Sequence, residues 1–157
     1  MKTIKKCLGT LIAADMYNCD EAVLKDIEKT EKALADACRE YCMDHRQIIH
    51  FQEEGQSEYS ITVICNQGHI TLHVYPDMGF MTADVFSCYK NANPADMARH
   101  LRRYFDADKS KITLLDRGDF GTENDMKPHR RSQIKFIRRT RDLSGKLKQM
   151  ILKPRSI

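Results

Sequence analysis

A chain of 157 residues, 41% hydrophobic and 31% charged, has room for one domain with a real core, since chains of this size bury roughly 70% of the surface they expose when unfolded. No apolar run approaches the roughly 20 residues that a membrane helix needs, so a transmembrane segment is excluded and a cytoplasmic protein is expected. The net charge of +4 is uneven: residues 126–157 hold eleven Lys and Arg against one acid, Asp142, about +10, and the remainder is about −6.

In chain order, residues 3–14 read as a strand. A helix follows from Asn18 or Asp20, either of which can cap its first turn. Val23, Ile27, Leu34, Cys38 and Tyr41 recur at helical spacing and give it one apolar face. Two strands are predicted over 47–52 and 59–66, joined by the polar segment 53–58. From His69 to Tyr75 the sequence alternates, with Ile70, Leu72 and Val74 on one side and His69, Thr71, His73 and Tyr75 on the other. Pro76-Asp77-Met78-Gly79 is a turn, and 81–89 is a partner strand with Thr82, Asp84, Phe86 and Cys88 on one face. Asn93-Pro94 starts a second helix with a buried stripe of Met97, Leu101, Tyr104 and Phe105, ending near Asp106. A last strand is predicted over 111–115, with a turn at 117–121 behind it. The order β-α-β-β-β-β-α-β, with short turns between strands, predicts an α+β two-layer sandwich: a mostly antiparallel sheet with two helices on one face.

Six cysteines (Cys7, Cys19, Cys38, Cys42, Cys65, Cys88) lie without a CxxC pair and are expected to be reduced thiols. Cys38 and Cys42 are four apart, with His45 nearby, but no set of four ligands at compatible spacing is visible, so no metal is expected.

Three blocks carry chemistry together: Gln67-Gly68-His69-Ile70-Thr71-Leu72-His73, then Tyr75-Pro76-Asp77, then Asp84-Val85-Phe86-Ser87-Cys88. They resemble, without gaps between them, the motifs of the bacterial S-adenosylmethionine decarboxylases. That family has a Glu-Ser-His-Leu-Thr-Ile-His type motif, a Pro-acid turn and an Asp-Val-aromatic-Ser/Thr-Cys strand. The similarity in order of elements covers roughly residues 5–120. The resemblance implies a self-processing enzyme of polyamine (spermidine) metabolism: a serine attacks the carbonyl before it, the ester breaks by β-elimination, and the new N-terminus becomes a pyruvoyl group. That group then holds the substrate amine as a Schiff base and acts as an electron sink while carbon dioxide leaves.

Carried over residue by residue, the resemblance gives Ser60 and His73 the roles that assist self-cleavage, and Cys88 that of proton donor. Asp77 would contact the substrate's ribose, with Tyr75 at an aromatic position and Phe51 stacked on adenine. Gly68 stands where the serine belongs, and glycine has neither a hydroxyl to attack nor a Cβ from which a ketone could be built. Gln67 replaces the acid before it. No pyruvoyl cofactor is therefore expected, and the resemblance implies a ligand-binding or regulatory homologue, a pseudoenzyme that binds S-adenosylmethionine or a related small molecule. It would pair as a homodimer or as a mixed dimer with a catalytic homologue. The alternative is an enzyme acting on S-adenosylmethionine or a related amine by pyruvoyl-independent chemistry through His73 and Cys88.

The chain divides on this reading into a decarboxylase-like domain, 1–122, and a basic extension, 123–157. The extension mixes charge with apolar residues, which suits an anionic partner such as RNA, a membrane surface or the acidic body of a partner subunit. Leu143, Leu147, Met150 and Ile151 have helical spacing.

Overall fold

A computed structural model describes residues 8–119, 121 and 123–135; the apolar spacing at 143–151 lies outside the described residues. The first strand, β1 (Gly9–Tyr17), ends where Asn18 takes a left-handed backbone (φ 50°) and turns the chain into the helix layer. The expected single helix is two. Asp20 caps α1 (Glu21–Leu24) by accepting from the Val23 N–H at 3.1 Å, and Asp26 restarts the helix as α2 (Ile27–Glu40) by accepting from the Lys29 N–H at 3.0 Å. The second cap explains the break, because a carboxylate that satisfies free N–H groups favours a new helix start over continuation.

Four strands follow in hairpin succession: β2 (His45–Gln52), β3 (Tyr59–Cys65), β4 (Gly68–Tyr75) and β5 (Phe80–Ser87). Between β4 and β5, Pro76–Met78 forms one 3-10 turn closed by Gly79 at φ 58°, a conformation that glycine adopts without Cβ strain. α3 (Pro94–Tyr104) begins as the sequence predicts, with the Asn93 side chain accepting from the Asp96 N–H at 3.1 Å. β6 (Lys109–Arg117) is longer than expected at both ends, because it pairs along the whole of β1.

The sheet runs β2-β3-β4-β5-β1-β6-β7, and every neighbouring pair is antiparallel. The expected architecture is present, with one addition. β7 (His129–Ile134) pairs with β6 as an edge strand, although its sequence reads as a charged extension. Its six residues are all exposed, so it lacks the alternation of a half-buried strand, and what holds it is the β6 ladder. Lys135 clamps its end by donating from Nζ to the Asp106 carboxylate at 2.5 Å and to the Asp106 carbonyl at 3.1 Å.

One face of the sheet is core. Ile12, Met16, Ile61, Val63, Ile70, Leu72, Val74, Met81 and Val85 are buried there beneath Leu34 and Cys38 of α2 and Met97 and Leu101 of α3. Each such side chain contributes roughly 1.5–3 kcal/mol by leaving water. Tyr59 joins this face and donates from its hydroxyl to the Leu24 carbonyl at 2.7 Å; burial pushes its phenol up to about 12. The other face carries no helix among the described residues.

Candidate functional site

The strand alternation that sends aliphatic residues into the core sends polar and aromatic ones to the open face. Register then assembles them into rows across the sheet, because directly opposed residues point the same way. One row runs Phe51, Ser60, His73, Thr82 and Asp15 across β2, β3, β4, β5 and β1. The row beside it runs Ile49, Thr62, Thr71, Asp84 and Ala13, and the next Ile64, His69, Phe86 and Leu11. The two polar strand faces legible in the sequence do converge.

At one end of these strands Ser60 Oγ and His73 Nδ1 share a hydrogen bond of 2.8 Å. They line a hollow of about 400 Å³ with Phe51, Glu53, Glu58 and Tyr75. Phe51 is 70% exposed, a large aromatic surface facing the opening. Tyr75 stacks on Phe80 with ring centroids 5.7 Å apart, Phe80 meets Tyr17 at 5.1 Å, and Lys111 Nζ lies 5.8 Å from the Tyr17 centroid. Asp77, just beyond on the 3-10 turn, accepts from Ser57 Oγ at 2.6 Å. This end therefore offers a hydroxyl–imidazole pair, three carboxylates and an aromatic wall. Glu53 and Glu58 escape sequence reasoning, because they belong to a turn whose polarity looks like ordinary solvation; only the fold brings them to the hollow.

The other end holds Gly68 and Cys88. Gly68 opens β4 opposite Ser87, and a Cβ built on it would overlap the Phe86 carbonyl oxygen and come within 2.9 Å of Ser87 Cα. The preceding carbonyl, that of Gln67, accepts from the Cys88 N–H at 2.7 Å and from Ser87 Oγ at 3.5 Å. Cys88 is exposed, just past the end of β5, beside Thr10, Lys90 and Asp116 in a second hollow of about 400 Å³. Gly68 and His73 are five residue steps apart along β4, roughly 17 Å of strand. Within one chain, then, Ser60, His73, Phe51 and Tyr75 meet, whereas Gly68 and Cys88 form a separate cluster. Cys65 is the register partner of Gly68 across β3 and β4 and lies on the buried face, 8% exposed. Among the described residues no three His, Cys, Asp or Glu side chains converge in a way that could hold a metal ion, and no helix is long and apolar enough to cross a membrane.

An antiparallel sheet with helices on one face and a polar, aromatic site on the other defines the S-adenosylmethionine decarboxylase-like class of α+β sandwich. Residues 10–118 match the family S-adenosylmethionine decarboxylase, and the chain belongs to it. It is 30% identical over 113 residues to the S-adenosylmethionine decarboxylase proenzyme of Moorella thermoacetica, covering 72% of this chain and 90% of the relative. The proenzyme of Clostridium tetani is 31% identical over 113 residues, covering 72% and 89%. The crystal structure of the adenosylmethionine decarboxylase from Aquifex aeolicus VF5 superposes with a TM-score of 0.65 at 21% identity, over 72% of this chain and 92% of that one, and so shares the fold. β7 lies beyond the region matched to the family.

Proposed function

We propose that this chain is an S-adenosylmethionine decarboxylase-related protein of polyamine metabolism that keeps a ligand pocket but forms no pyruvoyl group at Gly68, and so acts by binding or regulation. The observation that carries this reading is Gly68 itself. It supplies no hydroxyl or Cβ, and the β4–β5 pairing leaves no room for either. Around it the supporting parts persist. The Cys88 N–H and Ser87 hydroxyl are aimed at the Gln67 carbonyl, where such donors would stabilise an oxyanion if a nucleophile attacked. The pyruvoyl group, in the family's chemistry, supplies the ketone that accepts the substrate amine and then the electrons released with carbon dioxide. Gly68 does not fit that group, having no side chain from which the ketone could form.

The binding end supports S-adenosylmethionine or a close relative as ligand. Phe51 and Tyr75 offer faces for a flat base, Glu53 and Glu58 suit an ammonium or sulfonium, and Ser60, His73 and Asp77 supply hydrogen-bonding groups. The open face supports a partner subunit, either a second copy or a catalytic homologue. It exposes Ile49, Phe51 and Ile64 along one side, and its extent, on the order of 700 Å² from strand spacing and length, matches what one partner buries in a standard interface. Two such faces related by a two-fold axis across the strands would bring one copy's Ser60–His73 end against its partner's Gly68–Cys88 end. Chemistry that used His73 with Cys88 needs that arrangement, since a single chain keeps them apart.

The test is direct. Intact-protein mass spectrometry is expected to give one species at the full 18.2 kDa, and calorimetry to detect binding of S-adenosylmethionine or its decarboxylated form without carbon dioxide release. Two fragments divided at Gly68 would overturn the reading of the glycine. Absence of binding to both compounds, alone and with a catalytic homologue present, would overturn the reading of the pocket.

A further inference from the structure

Among the described residues, the helix layer is one helix short of the sheet it covers. α2 packs over the β2 side and α3 over β1 and β5. Packed helices lie about 8–10 Å apart, which is two strand widths at about 4.8 Å each, so the next place in the layer falls over β6 and β7. There the structure has a groove of about 610 Å³. Its floor is Ile12, Ile112 and Leu114, the last two only half-buried; one wall is Ala95 and Arg99 of α3, and the other is His129, Arg131 and Gln133 of β7. Register accounts for this composition, because Arg131 stands opposite Ile112 and His129 opposite Leu114, both on the helix side of the sheet.

The rim is cationic. Arg99 is held by Asp96 of its own helix, and among the described residues no ion pair engages Arg131 or His129. No Phe, Tyr or Trp lines the groove, and its floor is aliphatic rather than a stacking platform for nucleobases. An aliphatic floor between two cationic walls, one helix diameter from α3, has the complement of an amphipathic helix with acidic flanks. The chain's own residues 136–157 are a poor complement, with seven Lys and Arg against the single acid Asp142. The groove also depends on β7, which the family match does not include.

We propose that the α3–β7 groove docks an acidic amphipathic helix of a partner protein, laid over β6 and β7 as a third member of the helix layer. The site is distinct from the open face and stands apart from the reading of that face. The test uses the full-length chain and a designed fluorescent helix of about 15 residues with leucines at i, i+3, i+4 and i+7 and glutamates on both flanks. A lysine-flanked version, a scrambled version and an oligoadenylate RNA serve as comparisons.

The acidic helix is expected to bind tightest, to weaken with salt, and to lose roughly tenfold in affinity on the double substitution Arg99→Glu with Arg131→Glu, which should in turn favour the lysine-flanked helix. Thermal unfolding of the double variant, with both substituted side chains at the surface, is expected to be unchanged and so separates lost docking from lost folding. Equal binding of the acidic and scrambled helices, or no exchange of preference in the double variant, would overturn the proposal. Tighter binding of the RNA, lost in the same variant, would assign the surface to nucleic acid instead. A gain in binding of the acidic helix on Leu143→Asp with Leu147→Asp would show that the chain's own C-terminal segment fills the groove, and would overturn it too.

Discussion

Placing a side chain at position 68 is the sharpest perturbation that the fold allows. In Gly68→Ser the new Cβ would overlap the Phe86 carbonyl oxygen and crowd Ser87 Cα, both backbone atoms that cannot rotate away. The start of β4 must then separate from the end of β5. Forced packing of this kind costs about 1–3 kcal/mol. The 2.7 Å bond from the Cys88 N–H to the Gln67 carbonyl lies at the same point, and its loss adds about 1 kcal/mol. The sum, about 2–4 kcal/mol, corresponds to a fall of roughly 4–16 °C in Tm for a chain of this size. Gly68→Ala should behave alike, because the clash belongs to Cβ and not to the hydroxyl. Thermal unfolding followed by circular dichroism measures the shift, and intact mass spectrometry follows self-cleavage, which the distorted start of β4 is expected to prevent in the serine variant. A Gly68→Ser protein that melts like the parent, or that splits into two chains, would refute the argument that the strand is closed over this position.

The remaining expectations concern the pocket, the open face and pH. Phe51→Ala should weaken S-adenosylmethionine binding by roughly tenfold in calorimetry while leaving Tm within about 1 °C, since the ring is 70% exposed and contributes little to the core. Thr71→Arg, at the centre of the open face, should reduce a dimer to a monomer in light scattering without loss of the circular dichroism spectrum, because a long charged side chain there holds two such faces apart and would have to be desolvated on packing, even beside Asp84. Stability should fall as pH rises above 9. Burial, with smaller contributions from Asp108 and Asp106, pushes the Cys19 thiol up to about 12 from 9.0, and burial pushes Tyr59 up to about 12 from 10.0. Both groups stay neutral in the folded chain while the unfolded chain ionises, so their contribution is complete below pH 9 and is lost between 9 and 12, by up to about 1.4 kcal/mol per pH unit for each group. Denaturant midpoints measured across that window should decline less steeply in Cys19→Ala.

Much of this protein is written in local pattern. The alternation of Ile70, Leu72 and Val74 against His69, Thr71 and His73 sets which side of β4 is core and which is site, and Asn93-Pro94 sets where α3 begins, because strand pleat and helix capping act over a few residues. The resemblance in the blocks around Gly68 and Cys88 likewise needs only sequence. Three features required the tertiary structure. β7 has no burial pattern of its own and exists because β6 offers an unpaired edge. Glu53 and Glu58 look like solvated turn residues until the register of β2, β3 and β4 brings them beside Ser60 and His73. And Gly68 reads in sequence as a missing hydroxyl, whereas the pairing of β4 with β5 makes it a place where no side chain fits, a steric fact set by the backbone of Phe86 and Ser87 some eighteen residues away. Short-range physics fixes the elements and their faces; which faces meet, and how closely, depends on contacts between residues far apart in the chain.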